Sequence, residues 1–152
     1  MQDALVEVEI PSRVDLVAVV RMVVAAASAA VDALHGDRLD DLRVVVSEAT
    51  TNAIEANLLA GARARAAGPD GGGDGTGRVL VRCEAEPGVV RLQVSDEGPG
   101  MPDPLEIPAM GDPERLTLEG GFGIPLMRQL ADRASFDSGP DGTVVDLELR
   151  QG

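Results

Sequence analysis

Four stretches of the chain alternate apolar and polar residues with a period of two, and nothing else in the sequence constrains the fold as tightly. Within residues 4–10, Val6, Val8 and Ile10 share one side while Glu7 and Glu9 take the other. Val79, Val81, Cys83 and Ala85 make a second stripe, and Val90, Leu92 and Val94 a third. Thr143, Val145, Leu147 and Leu149 make the fourth, opposite Asp146, Glu148 and Arg150. Such alternation marks a strand with one buried and one wet face. A sheet of these strands takes helices on one side only.

The intervening segments supply the helices. Pro11 and Ser12 open the first, predicted to run to about residue 34 with Leu16, Val20, Val23, Ala27, Val31 and Leu34 along its apolar stripe. A second is predicted from about Leu39 to Ala60, with Gly61 as its stop. A third begins near 123-GIPLMRQLADR-133, where Pro125 falls in the first turn and its missing N–H does no harm. The predicted fold class is α/β: a two-layer sandwich, a mixed and mostly antiparallel sheet with three helices on one face.

A chain of 152 residues suits one domain, expected to span 1–152. The run 68-GPDGGGDGTG-77 cannot hold regular structure and reads as a surface loop. It is not read as a domain boundary, because the flanking pieces are too small to stand alone. With aromatics at 1%, the core has to be built from Val, Leu, Ile and Ala. No apolar run is long enough to cross a bilayer. The N-terminus lacks the basic-then-apolar order of a secretion signal. A single cysteine, Cys83, cannot form an internal disulfide and fits a cytoplasmic location.

Charge excludes further classes. The net charge of −13 argues against a surface that neutralises nucleic-acid phosphates, so no direct nucleic-acid partner is expected, and no membrane. All 13 basic residues are arginines. A P-loop needs a lysine on the phosphates, so nucleotide chemistry here requires another design. The lone His35, beside Gly36, reads as a solvated or capping side chain.

Three places put polar groups where the patterns call for apolar ones. Continuing the Val90, Leu92, Val94 stripe by one step lands on Asp96, and a buried carboxylate needs a donor. That donor is either a nearby loop N–H, as is common for Asp in a turn, or a ligand. On the second helix, Glu48, Asn52 and Glu55 fall at i, i+4 and i+7 with Thr51 adjacent, between aliphatic faces. They form either a solvated stripe or a site for a hard cation or a proton-transfer step. Third, 119-EGGFGIPLM-127 leads glycines into a helix N-terminus, either as a plain entry loop or as a phosphate cradle that needs no lysine.

Taken in chain order, an acid and amide on a helix, a strand ending in Asp–x–Gly–x–Gly, glycines at a helix start and a Gly–Thr opening the last strand resemble the ATP-binding domains of the GHKL (Bergerat-fold) superfamily. Within it the chain looks most like the bacterial anti-sigma-factor serine/threonine kinases. The resemblance rests on 47-SEATTNAI-54, 94-VSDEGPGMPDP-104, 120-GGFGIPLMRQLAD-132 and the terminal 142-GTVVDLEL-149, and covers nearly the whole chain. Histidine-kinase catalytic domains share these motifs but usually follow a phosphoacceptor helix pair, for which the sequence leaves no room.

The resemblance implies a site residue by residue. Asp96 would accept a hydrogen bond from the adenine amino group, with a water shared with Thr143. Gly98, Gly100 and Met101 would border the base and ribose. Asn52 would ligate Mg²⁺ on the phosphates of ATP, and Glu48 would be the general base. Gly120, Gly121, Phe122, Gly123 and Ile124 would form the second nucleotide-binding box, with 101–119 as a lid. The implied activity is transfer of the γ-phosphate of ATP to a serine or threonine of an anti-anti-sigma (STAS-type) partner by a homodimer that also binds a sigma factor. Glu55 and Glu119 stand where relatives usually carry neutral or basic residues. They keep open an alternative, a nucleotide-binding regulator that controls its partner by binding alone.

Overall fold

A computed structural model of the protein describes residues 3–66, 77–97 and 123–152. β1 (Ala4–Pro11) leads through a short 3-10 turn (Val14–Leu16) into α1 (Val17–Ala30) and α2 (Gly36–Ala66). β2 (Arg78–Glu86) and β3 (Val89–Ser95) follow, then α3 (Gly123–Leu130), β4 (Arg133–Gly139) and β5 (Gly142–Arg150). The strands form one sheet in the order β1-β2-β3-β5-β4, and all four ladders are antiparallel. The two-layer α/β sandwich is the architecture the alternation predicts.

The stripes fall as their period requires. Val79, Val81, Cys83, Ala85, Val90, Leu92, Val94, Val145, Leu147 and Leu149 are all buried. Val20, Val24 and Ala27 of α1, and Leu42, Val45, Val46, Ala53 and Ile54 of α2, complete one cluster with them. Each fully buried Val or Leu contributes on the order of 1.5–3 kcal/mol. The opposite face is an ion-pair lattice in which Glu148 meets Arg91 at 3.0 Å, Arg150 at 3.2 Å and Arg133 at 3.6 Å.

Several predicted boundaries move. Ser12 does not open the first helix: its buried hydroxyl donates to the Gly77 carbonyl instead, and α1 proper starts at Val17. The helix stops at Ala30 rather than near residue 34. There Asp32 takes φ 56°, Ala33 N–H reaches Ser28 O at 2.9 Å and Asp32 N–H reaches Ala29 O at 3.4 Å. Those two bonds and the left-handed residue form a Schellman ending, with aspartate where glycine is usual. Gly61 does not stop α2, which continues through the helix-forming Ala and Arg of 62–66.

The third helix ends at Leu130, and β4, absent from the sequence reading, begins three residues later. β4 is an edge strand with only Ala134 and Phe136 packed on the core. Arg38 holds this corner together, donating to Leu130 O at 2.9 Å, Arg150 O at 2.8 Å and the Asp132 carboxylate at 2.6 Å. It thereby satisfies the Leu130 carbonyl, which the end of α3 leaves without a helical partner, and the last carbonyl of β5.

Candidate functional site

The β3–β5 ladder positions the first part of the site. Val94 pairs with Val145 and Ser95 with Val144, so the next opposed pair is Asp96 and Thr143. Asp96 N–H donates to Thr143 O at 3.0 Å, and Thr143 N–H donates to Asp96 Oδ1 at 3.3 Å. Two residues singled out 47 positions apart are therefore cross-strand partners at the end of the inward stripe. Thr143 is buried, and its hydroxyl lies 3.1 Å from Ser138 Oγ. The carboxylate does receive a main-chain donor, as the turn-capping alternative requires.

Gly142 shapes the same corner. It has φ 143°, and a Cβ built on it would lie 2.0 Å from the Asp96 carbonyl oxygen. No side chain fits there, so the Gly–Thr pair opening β5 is a steric requirement of the approach to Asp96.

α2 supplies the second part. Glu48 and Asn52 are half-buried one turn apart, with Thr51 and Glu55 half-buried beside them. Neighbouring Ser47 donates to Arg43 O at 2.6 Å and accepts from the Arg21 guanidinium of α1 at 3.1 Å. α2 packs against β2, β3 and β5 on one side and against α3 on another. Half-burial and this packing distinguish the stripe from a fully solvated helix face.

α3 supplies the third. Gly123 opens it, Ile124 is buried in the core and Pro125 sits in the first turn. Gly98, Gly100, Met101, Gly120, Gly121 and Phe122, the 101–119 lid, Glu119 and the loop at 67–76 lie outside the described residues.

Glu48 and Asn52 offer oxygen donors that fit a hard cation. No group of three or more His, Cys, Asp or Glu forms a metal cage among the described residues. A carboxylate and an amide one helical turn apart are hard oxygen ligands of the kind magnesium takes together with phosphates and water.

One polar residue of this region was not anticipated. Asn57 is 1% exposed on the inward face of α2. Its Oδ1 accepts Glu97 N–H at 2.8 Å, and its Nδ2 donates to Ser12 Oγ at 2.9 Å and Arg78 O at 3.1 Å. Its signal in the sequence is an amide on the Val46–Ala53 stripe, where the helical period calls for an apolar side chain.

Comparison with known proteins places this geometry in a family. The "Histidine kinase-like ATPase domain" profile matches residues 10–149. The anti-sigma F factor of Bacillus licheniformis is 34% identical over 113 residues, covering 73% of this chain and 68% of that protein. The anti-sigma F factor of Bacillus subtilis (strain 168) is 32% identical over 117 residues, with the same coverage of 73% and 68%. The chain belongs to the histidine kinase-like ATPase domain family, in its anti-sigma factor branch.

Solved structures agree on the fold. A crystal structure of RsbU and RsbW domains from Mycobacterium tuberculosis superimposes with a TM-score of 0.63 at 19% identity, over 97% of this chain. The chain spans about a third (32%) of that structure's length. The histidine kinase domain of a blue-light activated kinase from Erythrobacter litoralis matches with a TM-score of 0.50 at 20% identity, over 92% of this chain and 65% of that one.

Proposed function

We propose that the protein is an ATP-dependent serine/threonine kinase acting as an anti-sigma factor, which phosphorylates an anti-anti-sigma (STAS-type) partner and binds a sigma factor. The observation that carries this reading is the Asp96–Thr143 pair beside a helix bearing Glu48 and Asn52, in a chain of the anti-sigma branch.

On this reading Asp96 accepts a hydrogen bond from the adenine amino group, with a water shared with Thr143. Gly98, Gly100 and Met101 would border the nucleotide, Gly121 and Gly123 would supply backbone N–H groups to the phosphates, and Gly120, Phe122 and Ile124 would complete the second nucleotide-binding box. Asn52 would hold Mg²⁺, which neutralises charge on the transferred group when bound. Glu48 takes the proton of the attacking serine or threonine hydroxyl. A new oxygen–phosphorus bond forms as the bond to the β-phosphate oxygen breaks, leaving ADP. Catalysis of this kind is positioning plus charge stabilisation.

Among the described residues no helix is long and apolar enough to cross a membrane. The proposed setting is the cytoplasm. A homodimer is part of the proposal. It is supported by the edge position of β1 and by exposed Leu5, Val14, Val19 and Met22 on β1 and the segment after it.

The test is incubation with Mg-ATP and a cognate anti-anti-sigma protein. Phosphoserine or phosphothreonine is expected with the wild type. Glu48→Gln should label the partner roughly a hundredfold more slowly, the size of a general-base contribution. Equal labelling by both removes Glu48 from the mechanism.

Half-buried Glu55, on the same face as Glu48, favours a second reading in which the protein binds nucleotide and partner without phosphotransfer. A further carboxylate near a triphosphate is electrostatically unfavourable unless it helps hold the metal. Nucleotide binding without turnover supports this reading, and phosphotransfer excludes it.

A further inference from the structure

We infer that Asn57 is a positioning residue for the nucleotide site, fixing the peptide between Asp96 and Glu97 relative to α2. The inference rests on the nucleotide-binding reading above. Its basis is a set of bonds that no packing role requires. Asn57 is buried, and both polar ends of its amide are engaged: Oδ1 by Glu97 N–H, Nδ2 by Ser12 Oγ and Arg78 O. Ser12 in turn donates to Gly77 O. A Cβ on Gly77 would lie 2.9 Å from Asn57 Cγ, so glycine at that position gives the amide its room.

The geometry gives these contacts a direction. Glu97 N belongs to the peptide that also carries the Asp96 carbonyl, and that carbonyl packs on Gly142. Asp96 N–H is held separately by Thr143 O. Both peptides flanking the Asp96 Cα are therefore fixed by contacts distant in sequence, which leaves its carboxylate few directions to take. Thr143 fixes one side from β5 and Asn57 fixes the other from α2. The helix that bears Glu48 and Asn52 thus also sets the purine end of the site. Errors of about 1 Å in such a spacing are costly to binding and to rate.

Calorimetric titration of the full chain with Mg-ATP tests this, at a temperature where every variant is folded by circular dichroism. Asn57→Ala should bind roughly tenfold more weakly than wild type, the cost of one lost buried hydrogen bond. Val24→Ala, a core truncation on α1, should lower Tm while leaving affinity unchanged. Asn57→Ala with a lowered Tm and wild-type affinity would reduce the residue to a packing role and overturn the inference. Should Asn57→Ala not fold, Asn57→Asp replaces it. That variant keeps an acceptor for Glu97 N–H and loses the donated bonds, so affinity within about threefold of wild type is expected at lower Tm. A tenfold loss in Asn57→Asp contradicts the inference. Absence of binding by the wild type overturns the nucleotide reading and this inference together, whereas equal binding by wild type and Asn57→Ala overturns the inference alone.

Discussion

Asp96 and Thr143 face each other across the β3–β5 ladder, with each backbone N–H donating to the other residue, at 3.0 Å to the Thr143 carbonyl and 3.3 Å to the Asp96 carboxylate. The carboxylate's place at the end of an otherwise aliphatic stripe is thereby fixed by the sheet itself. The glycine before Thr143 makes that approach possible.

Gly142→Ala should therefore damage stability and site together. Its methyl group would overlap the Asp96 carbonyl at a backbone conformation disfavoured for side chains. A loss of about 2 kcal/mol or more is expected in denaturant unfolding, with weakened Mg-ATP binding. An unchanged midpoint would mean that β5 shifts freely at this end.

Arg38→Ala should cost about 1–3 kcal/mol, because its guanidinium is partly buried and bonded to two main-chain carbonyls and two carboxylates. Arg38→Lys should not restore the loss, since an ammonium cannot span those acceptors as the planar fork does. Urea midpoints of the two variants check this; full recovery with lysine contradicts it.

Asp32→Gly should stabilise the protein by about 0.5–1 kcal/mol, because glycine adopts the left-handed conformation at the end of α1 without steric cost. A rise in Tm checks this. A fall would show that the Asp32 side chain contributes more than its backbone strain removes.

Burial, reinforced by Glu84, pushes the Cys83 thiol from 9.0 up to about 12. The folded state then keeps its proton where the unfolded state loses it, so this stability is present below pH 9 and declines as pH rises from 9 towards 12. With no lysine and no tyrosine in the chain, Cys83 is the one side chain titrating in that window. Unfolding free energy should fall by up to about 1.4 kcal/mol per pH unit there, and Cys83→Ala should flatten the slope. The same slope in both proteins contradicts this assignment.

The parts of the fold legible in the sequence were those with a strong period. Four strands were readable because each carries at least three inward apolar residues in strict alternation. β4 was not, because an edge strand packing only Ala134 and Phe136 leaves too short a stripe. Helix ends were less legible still. The break after α1 depends on Asp32 adopting a glycine-like φ, and Ser12 bonds to Gly77, 65 positions away. Asp96 and Thr143 were readable as continuations of apolar stripes. Asn57 was not singled out, since its three partners come from three separate segments and only the folded chain brings them to one amide.

Mg-ATP affinity of the wild type and Asp96→Asn, measured side by side by calorimetry, probes the pocket most directly. Binding by the wild type and a loss of at least roughly tenfold in the variant are expected, because the substitution replaces an acceptor oxygen with a donor facing the adenine amino group. Equal affinity in the two proteins would show that the purine does not sit against Asp96.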